Sequence, residues 1–397
     1  MKLLINTESL APPLTGIGIY TFNLLSKLHG MQQLETIECF SGIRFQNAQQ
    51  ALAACATDSN HADRTQPPSA GGIATRLKEQ LRGMTSAYRA REMLRNAILG
   101  MGAKKRKGYI YHEPNFILKA HQGLSIATIH DLSFIHHPQF HPIKRVEWLT
   151  SELPKTLDRA DFLITDSEQV RQELIDRFGI DEKRVRAIHL GAADCYTELL
   201  ACETQSTLNT YGLTHGRYLL FVGTLEPRKG VDVLINAWLR LPESMRHEHP
   251  LVLAGAPGWK NKELQARINM LTATHGLRHL QFVPAEALPA LYAGATLFVY
   301  PSLYEGFGLP VLEAMSCGTP VVCTADTAMA EFSEGATALC MPGNYEHLAD
   351  VIQTLLEDSE TRTGLSQAGL TRAKRLSWQR CADETLSIYR LISSDTH

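Results

Sequence analysis

Short apolar runs that close on a glycine- or acid-bearing turn and lead into a helical pattern recur along the chain. Lys2–Asn6 reads as a buried first strand, followed by Thr15-Gly-Ile-Gly-Ile-Tyr20 and an apolar helix pattern through Leu28. Strand, glycine loop and helix form the opening unit of a doubly wound α/β fold. Tyr109–Tyr111, Leu124–Ile129, Asp161–Thr165 and Val185–Leu190 are further strand-like runs, with a helix pattern through Arg177 and Phe178 after the third. A linker is expected at about 195–215. The pattern then restarts with Tyr218–Val222, Leu251–Ala254, Leu280–Val283, Thr296–Tyr300 and Thr319–Cys323, and ends in helices, the last through Trp378 and Tyr389. No internal repeat is evident.

The pattern breaks between about 47 and 107. Residues 47–72, with Ala, Gln, Ser and Pro, read as a loop or mobile insertion. From Arg76 to Lys107 ten basic residues face two glutamates, an excess of +8, among interleaved Leu, Met, Tyr and Ile. A basic amphipathic segment suits an anionic membrane surface, the reading preferred here over a solvated helical hairpin whose apolar side packs on its own domain.

Length and composition narrow the class. A chain of 397 residues exceeds one typical core and fits two domains, divided here as 1–195 and 196–375, with 376–397 as a terminal helix. The formal charge of −2 gives no whole-protein case for nucleic-acid binding. Eight cysteines without a C-x2-C pair argue against a zinc ribbon or disulfide framework and fit reduced thiols in cytoplasm. The N-terminus runs straight into a strand pattern, and no apolar run approaches a membrane span of ~20 residues.

The chemistry concentrates at Tyr300–Ala314, read as strand end, glycine turn and helix start. Gly306 and Gly308 permit unusual backbone angles, and Pro310 suits a first helical turn. Such a turn aims free N–H groups and a positive helix end at an anion, most simply a phosphate. Two carboxylates bracket it, Glu305 in the turn and Glu313, expected in the helix's first turn. Carboxylates repel phosphate but accept hydrogen bonds from hydroxyls, so the pair points to a ligand with both phosphate and sugar. Gly223-Thr-Leu-Glu-Pro-Arg-Lys-Gly230 adds Arg228 and Lys229 side by side before a helix, a planar fork and a point charge suited to a diphosphate. Leu124–Ile129 delivers His130 and Asp131 to a strand's C-terminal end, where ligands of open α/β sheets bind. His136, His137 and His141 have no acidic or thiolate neighbour at a metal-binding spacing and read as a loop near an acceptor.

The Glu305-to-Glu313 spacing within Tyr-Pro-Ser-Leu-Tyr-Glu-Gly-Phe-Gly-Leu-Pro resembles the Glu-x7-Glu signature of the retaining glycosyltransferases of family 4. The resemblance spans nearly the whole chain except 47–107. It implies the GT-B fold, two Rossmann-like domains facing across a cleft. It also implies that Gly16 and Gly18 lie against donor diphosphate and acceptor, that His130 faces the donor sugar, and that Arg228 and Lys229 hold the pyrophosphate. Glu305 would bind sugar hydroxyls, the backbone from Gly306 through Phe307 and Gly308 to Leu309 would touch sugar and phosphate, and Glu313 would bind ribose. The catalytic set is then His130, Glu305, Arg228 and Lys229. Where the family often has Gly-Val-Asp, this chain has Gly191-Ala-Ala-Asp194, one residue longer.

Thr-Leu-Glu-Pro-Arg-Lys, Thr-Gly-Ile-Gly and Thr-Ile-His-Asp-Leu look most like bacterial mannosyltransferases of O-antigen and exopolysaccharide assembly. The implied donor is GDP-mannose, with a GDP-linked 6-deoxyhexose such as rhamnose, or a UDP- or dTDP-sugar, as alternatives. The implied acceptor is a lipid-linked glycan at the inner face of the membrane, with Arg76–Lys107 as a peripheral contact. No Asp-x-Asp occurs, so transfer is expected to need no metal cofactor. An epimerase would need no acceptor, a phosphorylase would carry a pyridoxal-binding lysine motif that is not found, and a sugar-nucleotide sensor would bind donor without turnover.

Overall fold

The computed structural model describes residues 1–12, 14–62, 85–258 and 262–394. Two sheets account for all thirteen strands among them. The first contains β1 (Lys2–Asn6), β2 (Thr36–Phe40), β3 (Phe45–Asn47), β4 (Tyr109–Glu113), β5 (Ser125–Ile129), β6 (Phe162–Thr165) and β7 (Val185–Ala187), in the order 3-2-1-4-5-6-7. Every neighbour pair is parallel except β2 with β3. The second contains β8 (Leu219–Val222), β9 (Leu251–Ala254), β10 (Arg278–Gln281), β11 (Leu297–Tyr300), β12 (Val321–Thr324) and β13 (Ala338–Cys340), in the all-parallel order 10-9-8-11-12-13.

Both sheets are doubly wound for the expected reason. Central strands such as Leu219-Leu-Phe-Val222 and Val321-Val-Cys-Thr324 are apolar on both faces, so both faces must be covered. Helix Val231–Arg240 covers one face of the second sheet with Val231, Leu234, Ile235 and Trp238, all fully buried. Each such side chain contributes about 2 kcal/mol of burial.

Helix Ala201–Thr210 occupies part of the stretch expected as linker, packed against helix Leu288–Ala293. It buries only Thr204 and Leu208, too thin a stripe to read as a helix from sequence. Helix Ala48–Ala62 likewise stands in the first part of the loop expected over 47–72, whose residues 63–72 lie outside the described residues; Ala48, Ala51 and Cys55, buried along it, are small, which flattens the hydrophobic pattern.

Arg76, Lys78 and Arg82 of the basic stretch lie outside the described residues. Farther on, helix Thr85–Ala103 buries Leu99, and Arg95 pairs with Glu8 at 2.5 Å. Arg106, just beyond it, pairs with Glu38 at 2.5 Å. Those two cations therefore face their own sheet, while Met93, Leu94, Met101, Lys104, Lys105 and Lys107 are exposed. Among the described residues no helix is long and apolar enough to cross a membrane.

The chain ends by returning to the first sheet. Gly191 approaches the start of helix Trp378–Ser394 so closely that a Cβ there would lie 2.1 Å from the Trp378 nitrogen. Farther along, the Tyr389 hydroxyl is 2.7 Å from His112 Nδ1 at β4.

Candidate active site

Strands β8 and β11 are neighbours from which the chain departs toward opposite edges of the second sheet. In open α/β sheets that switch point leaves a crevice at the strands' carboxyl ends. The turn after β8 carries Arg228 and Lys229, and the turn after β11 carries Glu305, so the topology brings the three together. The turns are locked by backbone contact. Leu303 N–H donates to the Arg228 carbonyl at 2.9 Å. Gly230 has φ +70°, and a Cβ there would lie 2.2 Å from the Pro301 oxygen.

Side-chain chemistry follows from that lock. Lys229 Nζ lies 2.6 Å from Glu305 Oε1 and 2.6 Å from the Tyr300 hydroxyl, Arg228 Nη1 lies 3.2 Å from Glu305 Oε1, and Ser302 Oγ donates to the same oxygen at 2.7 Å. Burial pushes the Glu305 pKa up, but the two cations beside it outweigh burial and hold it at about 2. Arg228 Nε is buried without a partner among the described residues. Glu305 is the carboxylate both cations share, with Glu226 farther off at 4.0 Å from Arg228, and the unpartnered Arg228 Nε leaves a donor for an anion such as a diphosphate.

Helix Leu309–Ser316 begins directly after this turn, with Gly308 at φ +104° as its N-cap. Among the described residues no acceptor receives the backbone N–H groups from Gly306 to Leu309. Four free donors at a helix N-terminus favour an anion. Phe307 does not line that space with its ring: it is buried, stacked on Phe332 with centroids 4.4 Å apart. Glu313 lies in the helix's second turn rather than its first, so a helix-dipole role does not explain it. The Tyr292 hydroxyl donates to its Oε2 at 2.8 Å. Burial, only partly offset by hydrogen bonds from Tyr292 and Tyr196, lifts its pKa to about 7.

The first sheet presents its strand ends to these turns. His130 follows β5, and its imidazole is buried between Tyr20 and Phe116, with centroids at 4.9 and 5.8 Å. Nε2 is 2.7 Å from the Pro114 carbonyl and so donates to it; Nδ1 is 2.7 Å from the Asp166 carboxylate. Burial lowers the His130 pKa, but Asp166 more than reverses this. With both nitrogens engaged, the ring holds a proton rather than accepting one. What His130 turns toward the second sheet is its carbonyl, against which Gly306 packs so tightly that a Cβ would lie 1.9 Å away.

Gly16 and Gly18 open helix Gly16–Leu28 after β1. Nothing lies within 4 Å of a Cβ placed on Gly16, whereas one on Gly18 would meet the Ser9 carbonyl at 2.6 Å. Gly18 is therefore required by packing, and Gly16 only by whatever occupies the open space beside it. The histidine loop also belongs here. His136 and His137 pack on the Tyr304 ring with centroids at 5.3 and 5.9 Å, and His136 Nε2 is 3.1 Å from Glu173. No group of three or more potential metal ligands occurs among the described residues.

Comparison with known proteins decides the family. The description "Glycosyl transferases group 1" matches residues 212–372, which hold the Arg228–Lys229 and Glu305–Glu313 turns. Along 394 residues, 99% of this chain and all of its counterpart, the sequence is 35% identical to O-antigen chain mannosyltransferase B of Escherichia coli. The chain belongs to the group 1 glycosyl transferases. Crystal structures agree on the fold. WaaG, a glycosyltransferase involved in lipopolysaccharide biosynthesis, superposes with TM-score 0.70 over 98% of this chain and 99% of its own, at 16% identity. Anabaena Alr3699/HepE, in complex with UDP and glucose, gives 0.69 over 98% and 99%, at 18% identity. The transferase therefore has the GT-B architecture, two Rossmann-like domains across a cleft.

Several residues of the candidate site were not legible in sequence. Asp166 follows β6 just as His130 follows β5, and two adjacent parallel strands delivering an acid and a histidine was the available signal. Tyr292, which meets Glu313, and Glu331, which spans the two domains, had none.

Proposed function

We propose that this glycosyltransferase moves mannose from GDP-mannose, with retention of anomeric configuration and without a metal, onto a lipid-linked glycan acceptor of the O-antigen type. The observation that carries the reading is the junction of the β8 and β11 turns, where Arg228 and Lys229 converge on Glu305 below four free backbone amides. Cations and amides suit the diphosphate, Glu305 and Glu313 suit hydroxyls, and the full-length match to a mannosyltransferase of O-antigen chains favours mannose and a polysaccharide acceptor.

The reaction follows from what the residues can and cannot do. The bond from the sugar's anomeric carbon to the diphosphate oxygen breaks with its electron pair going to that oxygen, where Arg228, Lys229 and the helix N-terminus stabilise the charge. The acceptor hydroxyl attacks from the same face, and its proton passes to the departing phosphate oxygen. No general base is required, which accords with an engaged His130. Arg228 and Lys229 take the place of a divalent ion. Peripheral membrane contact through the Arg76–Lys107 region is supported by exposed Met93, Leu94, Met101, Lys104, Lys105 and Lys107, and co-sedimentation with vesicles containing anionic lipid tests it.

Thermal unfolding with GDP, UDP and dTDP, with and without EDTA, tests the donor. GDP at 100 times its dissociation constant should stabilise the protein by ~2.7 kcal/mol, unchanged by EDTA. Proton NMR of the product from GDP-mannose should show the donor's α-configuration retained. Selectivity for UDP or dTDP would overturn the donor, a β-product the stereochemistry, and loss of the shift in EDTA the metal independence.

A further inference from the structure

Helix Glu168–Phe178 of the first domain begins two residues after Asp166, the carboxylate that holds His130. Its N-cap, Ser167, accepts through Oγ from Val170 N–H at 3.3 Å. The N–H groups of Glu168 and Gln169 are left over, and their acceptor comes from the other domain. Glu331, on helix Ala328–Ser333, accepts from Glu168 N–H at 2.8 Å with Oε1 and from Gln169 N–H at 2.8 Å with Oε2. His189 Nε2, from the segment after β7, is 2.9 Å from the same Oε1. One carboxylate thus finishes a helix cap across the cleft with both oxygens and an imidazole engaged, a favourable pairing of negative charge with a helix N-terminus.

Its place in the fold gives this contact a consequence. Phe332, next to Glu331, stacks on Phe307 in the donor turn, and the His189 ring lies 5.9 Å from Phe307. One residue before Phe307, Gly306 rests on the His130 carbonyl. Glu331 therefore ties the element that carries Asp166 to the element that carries the free amides of residues 306–309. The same helix meets the donor turn a second time: the Tyr304 hydroxyl donates to Glu173 at 2.6 Å and accepts from Leu132 N–H at 3.0 Å. Tyr304 stands two residues from Gly306 and Leu132 two from His130 along the chain, so this contact adjoins their approach.

We propose that Glu331 is a positioning residue for sugar transfer: by capping the Glu168 helix across the cleft it sets the separation at which the first domain meets the donor turn. It lies outside the diphosphate and sugar groups, so removing it should leave nucleotide binding nearly intact while slowing transfer. The inference rests on the transferase reading above, and two of its measurements need no substrate.

The test compares Glu331→Ala, the near-isosteric Glu331→Gln and Glu331→Asp with wild type. Hydrogen exchange should show the Glu168 and Gln169 amides losing at least tenfold protection in Glu331→Ala, and small-angle scattering should show a larger radius of gyration. GDP affinity should change less than threefold while kcat falls at least tenfold. Glu331→Gln, which keeps one acceptor oxygen, should fall between wild type and Glu331→Ala, and Glu331→Asp should regain part of the rate. Wild-type exchange and scattering in both Glu331→Ala and Glu331→Gln would overturn the clasp. A changed clasp with wild-type kcat would overturn its role in transfer. Failure of wild type to bind GDP at all would count against the donor reading and leave the exchange and scattering results to judge the clasp alone.

Discussion

Glu305 and Glu313 share a turn and its helix, yet their surroundings drive them in opposite directions. Glu305 is held ionised, at about 2, by Arg228 and Lys229, whereas Glu313 is raised to about 7 by burial near Tyr292. For Glu313 the native state keeps a proton that the unfolded chain has already released between about 4.5 and 7. Its contribution to stability is therefore full below the unfolded value and is lost as pH rises through 7. Against Glu313→Gln, which has no such proton, wild-type stability should fall by at most about 3 kcal/mol across that window, measured by urea unfolding at each pH. If the carboxylate accepts ribose hydroxyls, nucleotide affinity should rise over the same interval in wild type and stay flat in the variant. Glu305→Gln tests the other carboxylate. It removes the counter-charge that two half-buried cations share, leaving only Glu226 at 4.0 Å from Arg228, and should cost about 3 kcal/mol in the free protein. Added nucleoside diphosphate should restore much of that stability, because it supplies the missing negative charge, while transfer should fall by at least a hundredfold. Equal loss of stability with and without nucleotide would show that the cations do not meet the diphosphate.

At the scale of elements, the two glycine-bearing turns differ in what constrains them. A Cβ on Gly306 would meet the backbone of His130 rather than a movable side chain, so Gly306→Ala must push the domains apart or distort the turn. Steady-state kinetics should show kcat lowered at least a hundredfold. Gly16 has neither a positive φ nor a neighbour within 4 Å of a Cβ, and it opens a helix. Gly16→Ala should therefore leave stability unchanged or raise it by about 0.5 kcal/mol. A large loss of transfer in a variant that melts no lower would assign the space beside Gly16 to substrate; unchanged transfer would remove Gly16 from the site. The same contrast explains how much could be read in advance. Strand ends and their turns were legible because apolar runs of four or five residues bounded by glycine or acid carry both structure and chemistry, as at Tyr218–Gly230 and Thr296–Gly308. Helices Ala48–Ala62 and Ala201–Thr210 were not, because they bury small or few side chains. Asp166 and Tyr292 were missed as partners because the contacts are set by strand and helix neighbours, not by sequence spacing: Asp166 is 36 residues from His130 and Tyr292 is 21 from Glu313.

The whole molecule is held together at more places than its cleft. Helix Trp378–Ser394 leaves the second domain, passes Gly191, buries Cys381, Leu386, Ile388 and Tyr389, and lies on the first domain's helix Gly16–Leu28, with Tyr389 reaching strand β4. His112, at the centre of that contact, has its pKa lowered to about 3 by burial and by nearby His130, and is neutral. Its two nitrogens are met by the Tyr389 hydroxyl at 2.7 Å and Thr128 Oγ at 2.8 Å. Because one helix belongs to both cores, the domains should unfold together, in one calorimetric transition. Tyr389→Phe leaves a buried ring nitrogen without its partner and should cost about 1–3 kcal/mol, since an unmet polar group loses its desolvation energy outright. The loss falls on the joint rather than on either sheet, so it should lower the first domain's unfolding toward separation from the second: the single transition should broaden or split, while GDP, on the proposed donor reading a ligand of the second domain, should still raise the later part. A sharp single transition shifted as a whole would instead mean that the cleft contacts through Glu331 and Tyr304 couple the domains without help from the terminal helix.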